Sequence, residues 1–459
     1  MAGRANKLQP VPVWLGRLHA ELRHLAMPAL SGRQTGPLSI SFEVPLAEPA
    51  APPANASGWL YWHQPDRQYR LLGLGMAHVI RARGGQRFRQ LETAYRCLQT
   101  NWTRVSQGRG RASAWVFVGF AFDPEFQPEQ GWVGFDNAGL YLPQLMFEWK
   151  KGRCVLTFNC YRDQDTLPEK IIADWVARLR SVLFMETARS SEQRSRVFLK
   201  TELPAASDWR NNVAHAIAAM KANRFDKVVL TRQLQLRFGE TVPHREMLSS
   251  LAQHYPRCTQ LSVNFGHGTL LAATPEQLFD MSAQHLHCDA LAGTFPAHQA
   301  RPDAQMEIHE HAPVVQAIRD ALHPLCTELK ADQAAVPLAL RSLSHLYTPV
   351  HAVPRSDVHP LQVLDALHPT PAVGGLPKES ALAWIREYEQ LPRGWYTGAF
   401  GWLGDHQEAR MSVILRCALI HENVAQLYAG GGITRVSDPD QELRETELKF
   451  EPMLNALLH

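Results

Sequence analysis

The 459 residues include 45% hydrophobic and 20% charged side chains, with 12 Trp and 18 Phe, which excludes a disordered chain and supplies a globular core. That length exceeds the roughly 250–300 residues at which single cores stop growing, so one large composite domain or two domains are open. The net charge of +3 without a long basic block sets nucleic acid aside, no run nears the roughly 20 apolar residues of a membrane span, and seven scattered cysteines without a Cys-x-x-Cys pair fit a reducing cytoplasm.

Taken in order, the first 30 residues bear arginines but lack the continuous apolar core and small-residue cleavage site of a signal peptide. The Pro/Ala run from Pro45 to Ser57 predicts a surface loop, followed by a strand opening at Gly58-Trp59-Leu60-Tyr61-Trp62. Aromatic and β-branched residues predict a buried strand at Trp115 to Phe122 and further strands near Trp132 to Phe135 and Cys154 to Phe158. The polar stretch from Thr187 to Ser207 predicts a subdomain boundary. A helix follows, capped by Ser207 or Asp208, with Trp209, Val213, Ile217 and Met220 on one stripe.

Lys227-Val228-Val229-Leu230-Thr231-Arg232 opens another strand, with more expected at Leu261 to Phe265 and Leu270 to Ala273. Met306 to Leu322 reads as a helix buried through Val314, Val315, Ile318 and Leu322. A C-terminal helix is expected over Gln441 to Leu458, after the start signal Ser437-Asp438-Pro439. Strand clusters interrupted by helices, without regular alternation, predict an α+β sandwich of antiparallel sheets rather than a doubly wound sheet. The expected division is a β-rich N-terminal part, 1–200, and a catalytic region, 201–459, in one composite domain.

Two helices are expected to carry carboxylate pairs at one spacing: Glu307 with Glu310, and Glu442 with Glu445. Residues three apart share a helix face, so four converging carboxylates would suit Mg²⁺, an ion that prefers oxygen ligands. Lys449, one turn beyond Glu445, could reach a substrate carboxylate held there. Spacing alone fits a solvated helix face better, since Glu is mostly exposed. The string His309-Glu310-His311 suggests zinc only superficially, since residues two apart on a helix point in different directions. The glycine stretches Ala290 to Thr294 and Tyr428 to Ile433 follow strand-like runs; they are ordinary turns or places where backbone amides meet an anion.

Together these segments resemble the chorismate-utilising family, which includes anthranilate, aminodeoxychorismate, salicylate and isochorismate synthases. The resemblance spans about residues 208 to 455 and includes Lys227 to Arg232, Thr274-Pro275-Glu276-Gln277-Leu278-Phe279, Ala290 to Thr294, Glu307 to His311, Ser344-His345-Leu346, His368-Pro369-Thr370-Pro371-Ala372-Val373, Trp395-Tyr396, Leu415-Arg416, Tyr428 to Ile433 and Asp438 through Lys449. It implies the family's fold, large antiparallel sheets packed as a sandwich with helices outside. Carried over by position, Glu310 and Glu445 resemble direct Mg²⁺ ligands, and Glu307 and Glu442 resemble carboxylates holding metal-bound water. Arg416 and Tyr396 resemble residues on the enolpyruvyl carboxylate. Lys449 and the Gly293 and Gly430 backbones resemble those around the ring carboxylate, beside Thr294 and an active-site histidine, His345.

Within the family, the match is to isochorismate synthases, whose lysine base and glutamate acid resemble Lys227 and Glu276. The resemblance implies a reversible conversion of chorismate to isochorismate, in which water attacks C2 and the C4 hydroxyl departs. Such a lysine needs its pKa lowered and such a glutamate needs its pKa raised. Ala292 stands where aminodeoxychorismate synthases often carry lysine, and Ala372 where salicylate synthases tend to carry threonine. A salicylate synthase, a catalytically silent chorismate-binding subunit, and an interaction protein with a basic arm (Arg4, Lys7, Arg17, Arg23) are the alternative readings. A cytoplasmic monomer without a membrane partner is expected. Menaquinone and siderophore routes both use isochorismate, and the residues fit either. His298 and Ala297 depart from the family where arginine is common.

Overall fold

Runs such as Trp59-Leu60-Tyr61-Trp62 are apolar at every position because their strands are covered on both faces, so successive side chains enter two different cores. The computed structural model describes residues 13–32, 34–49, 51–53, 58–107, 115–183, 197–296, 307–332, 334–341 and 343–458, without the side chains at 130, 296, 307 and 308. Two long strands, Tyr69–Ala82 and Ala138–Lys150, pair antiparallel along their whole length, with a register shift between Met76 and His78. The sheet divides from this pair into two arms.

One arm leaves Tyr69–Ala82 through Trp59–Gln64, Thr259–Asn264, Thr269–Thr274, Cys417–His421 and Val424–Thr434 to Lys227–Phe238. The other leaves Ala138–Lys150 through Val116–Phe120, Ala399–Leu403, Ala409–Val413, Gln277–Ser282 and His285–Pro296 to Leu343–Pro354. Arg153–Arg162 and Gly36–Val44 extend the long pair, and Thr103–Gln107 adds the one parallel pairing among the described residues. Strands of the first 200 residues therefore pair directly with strands far along the chain.

Two connections join the arms and place the site. Thr269–Thr274 continues through Pro275-Glu276 into Gln277–Ser282, while Ala409–Val413 continues through Ile414-Leu415-Arg416 into Cys417–His421. These strands are neighbours on both sides of the crossing, so Glu276 and Arg416 fall side by side at the bend. Backbone bonds hold it: Val413 N donates to Glu276 O at 3.2 Å, and Ala273 N donates to Arg416 O at 3.1 Å.

The arms face each other across an aromatic core that includes Trp62, Phe117, Trp395, Phe400 and Trp402, with Phe117 and Phe400 stacked at 5.5 Å. Each fully buried ring of this size contributes roughly 4–6 kcal/mol gross, before conformational entropy is counted. Helices cover the outer faces: Val13–Ser31, Pro168–Leu183, His244–His254 and part of Pro439–Leu458 on the first arm, and Arg87–Thr100, Ala312–Leu322 and Pro360–Leu367 on the second. The expected α+β sandwich with outer helices is the observed architecture. Among the described residues, no helix is long and apolar enough to cross a membrane.

Several local expectations are corrected. Trp132 to Phe135 is a turn rather than a strand; Gly134 takes φ +91° and the Trp132 and Phe135 rings meet edge to face at 5.3 Å inside the aromatic core. Within the polar stretch Thr187 to Ser207, Val197–Leu203 is a strand paired with Lys227–Phe238, while 184–196 lie outside the described residues. Its helix begins at Ala206 with no side-chain cap, and Asp208 complements the dipole from the first turn. The helix expected from Met306 starts only at Ala312, because Pro313 belongs in a first helical turn; a π-type turn, Glu307–His311, precedes it. Val13–Ser31 is a helix seated through Leu15, Leu18, Leu22, Ala26 and Leu30.

Candidate active site

Lys227 is the first residue of its strand and only 5% exposed. A Cβ at neighbouring Gly432 would stand 3.1 Å from Lys227 Cε, so the glycine run leaves room for this side chain. Lys227 Nζ donates to Glu310 O at 3.5 Å. Burial lowers its pKa, with Lys449 acting in the same direction and Glu310, Glu442 and Glu445 opposing.

Glu276 at the crossing of the arms is 3% exposed. Burial, and then the charge of Asp289, raise its carboxyl from 4.5 to about 8 against the pull of Arg416 and Lys227. The cavity thus holds a lysine displaced toward its neutral form and a glutamate displaced toward its protonated form. This is the pairing that proton removal and proton delivery require near neutral pH.

The carboxylates come from the π-type turn and the C-terminal helix. Glu442 Oε1 accepts from Ser437 Oγ at 2.7 Å, whereas Oε2 is buried without a partner. Burial and the neighbouring Glu445 push Glu442 up to about 8, and burial, reinforced by Glu445, also raises Glu310. Lys449 Nζ bridges Glu445 Oε1 at 2.5 Å and Gly430 O at 2.8 Å. Oxygen donors that resist sharing negative charge, with one carboxylate oxygen unpartnered, fit a hard divalent cation. Among the described residues no three ligating groups already close around one point. The Glu307 side chain lies outside the described residues. His311 is buried with Nε2 2.8 Å from Thr348 Oγ1, while His309 is exposed, so the two imidazoles do not converge.

Opposite the carboxylates, Arg416 Nη2 donates to His345 Nε2 at 3.2 Å, and His345 Nδ1 lies 3.2 Å from Thr294 Oγ1. Burial, then Arg416 and Lys449, hold His345 well below the usual imidazole range. Gly293 adopts φ +74° where the strand register shifts between Ala292 and Thr294, a conformation that favours glycine. At Gly430 a Cβ would come within 2.9 Å of the Tyr396 hydroxyl, so that contact also depends on glycine.

Lys227, Glu276, Gly293, Thr294, Glu310, His345, Tyr396, Arg416, Gly430, Glu445 and Lys449 line a single narrow cavity of about 70 Å³. Glu442 stands behind this lining, against Gly431, where a Cβ would meet its Oε2 at 2.8 Å. A larger cleft of about 900 Å³ lies beside residues 122–129 and 382–394, but its charges include the ion pairs Arg393–Glu389 and Arg386–Asp123. Volume does not mark the chemistry; convergence of perturbed groups does.

The sequence did not single out Asp289, whose Oδ2 accepts from Gln277 N at 3.1 Å and whose charge acts on Glu276. An acidic residue just before the apolar run Ala290-Leu291-Ala292 was the available signal. Nor did it single out Arg393, which donates to Val373 O at 2.9 Å and Val229 O at 2.7 Å, and so ties together two segments of the cavity wall.

A buried lysine and a buried glutamate with displaced pKa values, set between a carboxylate cluster and a buried cationic wall, suit an enzyme that works on a small anionic molecule. The chain belongs to the chorismate-binding enzyme family, whose model matches residues 31–458. It is 28% identical over 413 residues to isochorismate synthase MenF of Bacillus subtilis (strain 168), covering 86% of this chain and 87% of that protein. To the salicylate biosynthesis isochorismate synthase of Pseudomonas aeruginosa it is 30% identical over 410 residues, covering 87% and 84%. The solved structure of MenF, the menaquinone-specific isochorismate synthase from Escherichia coli, shares the fold at a TM-score of 0.75 and 23% identity, over 96% of this chain and 99% of that one. Anthranilate synthase component I from Streptococcus pneumoniae shares it at 0.67 and 16%, over 99% of each chain.

Proposed function

We propose that this enzyme is an isochorismate synthase, converting chorismate reversibly to isochorismate. The observation that carries the reading is the placement of Lys227 and Glu276 in one cavity with their pKa values displaced toward neutral lysine and protonated glutamate. Neutral Lys227 removes a proton from the water that attacks C2, the ring double bond shifts, and Glu276 protonates the C4 hydroxyl as it leaves. One water enters and one departs, so the overall reaction is an isomerisation.

Arg416 and Tyr396 bind the enolpyruvyl carboxylate in this reading. Lys449 and the Gly293 and Gly430 backbones flank the ring carboxylate, and Thr294 and His345 steady Arg416. Glu310 and Glu445 would hold Mg²⁺ directly, with Glu442 and Glu307 on its waters. When bound, the ion supplies positive charge that neutralises the ring carboxylate and orients the ring. The unpartnered Glu442 Oε2 supports such an ion. Ala372 lines the cavity with only a methyl group, which favours isochorismate rather than salicylate as the final product.

The chain is read as one composite domain, a reading supported by the pairing of Trp59–Gln64 with Thr259–Asn264 and Val116–Phe120 with Ala399–Leu403. It is taken as a cytoplasmic monomer that completes its own site. The test is to incubate the protein with chorismate and Mg²⁺ and separate the products by liquid chromatography, with EDTA and Lys227→Ala controls. Isochorismate formed by the wild type and lost in both controls is the expected result. Salicylate with pyruvate would reassign the product, and a folded protein that makes no product would overturn the proposal.

A further inference from the structure

The strand His285–Pro296 carries a second set of ionisable side chains that do not line the cavity, although the charge of Asp289 reaches Glu276. Alternation places His285, His287 and Asp289 on one face, and the register sets His351 directly opposite His287. The Nδ1 atoms of His287 and His351 are 3.4 Å apart, with ring centroids at 4.8 Å. On its other side, His287 Nε2 lies 2.9 Å from Asp289 Oδ1. A carboxylate accepts, so the proton sits on Nε2 and His287 turns a lone pair at Nδ1 toward His351. The His285 ring lies 6.4 Å from His287, nearly parallel to it, and 6.1 Å from His351; His285 and His351 are both exposed.

Two nitrogens each about 2.0–2.1 Å from a tetrahedral Zn²⁺ stand roughly 3.3 Å apart, so the His287–His351 pair, in hydrogen-bond contact at 3.4 Å without the ion, would take one by turning both lone pairs to a common point with little change in spacing. A carboxylate on the far nitrogen is the arrangement that fixes the tautomer and orientation of metal-binding histidines.

We infer that His285, His287 and His351 form a binding site for a borderline divalent transition ion, Zn²⁺ by its donor set, oriented by Asp289 and separate from the carboxylate cluster. Imidazole donors discriminate against Mg²⁺, so the two sites select different ions. Closing the site requires the exposed His285 side chain to rotate toward the other two.

The experiment is a calorimetric titration of Zn²⁺ into the full chain held in excess Mg²⁺, with Cys97→Ser as a background because that thiol is exposed. The wild type and Cys97→Ser should each bind one equivalent that His285→Ala and His351→Ala weaken at least tenfold. Asp289→Asn should cost about 10- to 100-fold, the usual effect of removing the carboxylate behind a ligating histidine. Co²⁺ used as a second probe should show tetrahedral visible bands in the wild type that are absent in His351→Ala. His351 is exposed, so its removal leaves the core intact, and unchanged thermal melting of the Zn²⁺-free variant checks this. Unchanged affinity in both histidine variants, or no Zn²⁺ uptake by the wild type, would overturn the site.

Discussion

Arg416 donates from Nη2 to Nε2 of His345 at 3.2 Å, a bond that assigns the histidine's proton. A guanidinium has no acceptor, so Nε2 carries no proton and the imidazole is the neutral Nδ1–H tautomer, facing Thr294 Oγ1. In the proposed mechanism His345 therefore positions Arg416 rather than transferring protons. Hydrogen bonds to charged groups contribute about 1.5–3 kcal/mol, so His345→Ala should raise KM for chorismate by about 10- to 150-fold with a smaller fall in kcat. Steady-state kinetics across pH test this: both limbs of the profile should persist in the variant, and the loss of one limb would make His345 a proton-transfer group.

In the proposed mechanism Lys227 must be neutral and Glu276 protonated at the same time, and each is displaced in that direction. The profile of kcat/KM should show one limb where Lys227 loses its proton, displaced below the ordinary lysine range, and another where Glu276 ionises near pH 8. Glu276→Gln removes the acid and should reduce kcat by about 10²–10⁴-fold across the range, the span usual for a positioned acid or base. A variant that retained the limb near pH 8 would assign it to another group.

The strands that are apolar on both faces were legible because composition alone marks them, and the candidate site residues were legible because they fall in motifs that resemble the family's, such as Lys227 to Arg232 and Thr274 to Phe279. The pairings that assemble the site were not. Trp59 Nε1 donates to Ser262 Oγ at 2.8 Å across 203 residues of chain, and nothing local in either segment encodes that meeting. Trp132 and Phe135 have strand composition but fill a core from a turn, where Gly131 and Gly134 broke the pattern. Pro28, Arg17 and Arg23 masked the apolar stripe of Val13–Ser31. The role of Asp289 depends on which loop packs against it, a tertiary relation with no spacing of its own.

Burying a carboxyl whose pKa rises from 4.5 to about 8 makes folding stability depend on pH. Below pH 4.5 both the folded and unfolded states hold the Glu276 proton and there is no penalty. Between 4.5 and 8 the unfolded state releases it first, so the contribution is lost progressively as pH rises. At pH 7 the deficit is on the order of 3 kcal/mol, from about 1.4 kcal/mol per unit. Glu276→Gln, neutral at every pH, should therefore be more stable than the wild type at pH 7 and nearly equal to it at pH 4.5, while losing turnover. Denaturant melts at the two pH values measure the difference, and a gap that did not widen with pH would mean that Glu276 is already ionised in the fold.

Substitutions in the carboxylate cluster should separate metal binding from stability. Glu442 has one partnered and one unpartnered oxygen and is raised to about 8 by burial and by Glu445, so in the metal-free protein it is a source of strain. Glu442→Gln should raise the melting temperature of the metal-free enzyme, because an uncompensated buried acid becomes a neutral amide of the same shape. In the proposed arrangement it holds a metal-bound water, so the same change should weaken Mg²⁺ about 10- to 100-fold. Glu310→Gln and Glu445→Gln remove direct ligands and should weaken Mg²⁺ further. Glu445→Gln also removes the carboxylate that Lys449 Nζ contacts at 2.5 Å, so it should gain less stability than Glu442→Gln. Calorimetric Mg²⁺ titration and thermal melting of the three variants read both effects. If Glu442→Gln stabilised the protein while Mg²⁺ affinity held, Glu442 would be a buried acid without a part in the metal site.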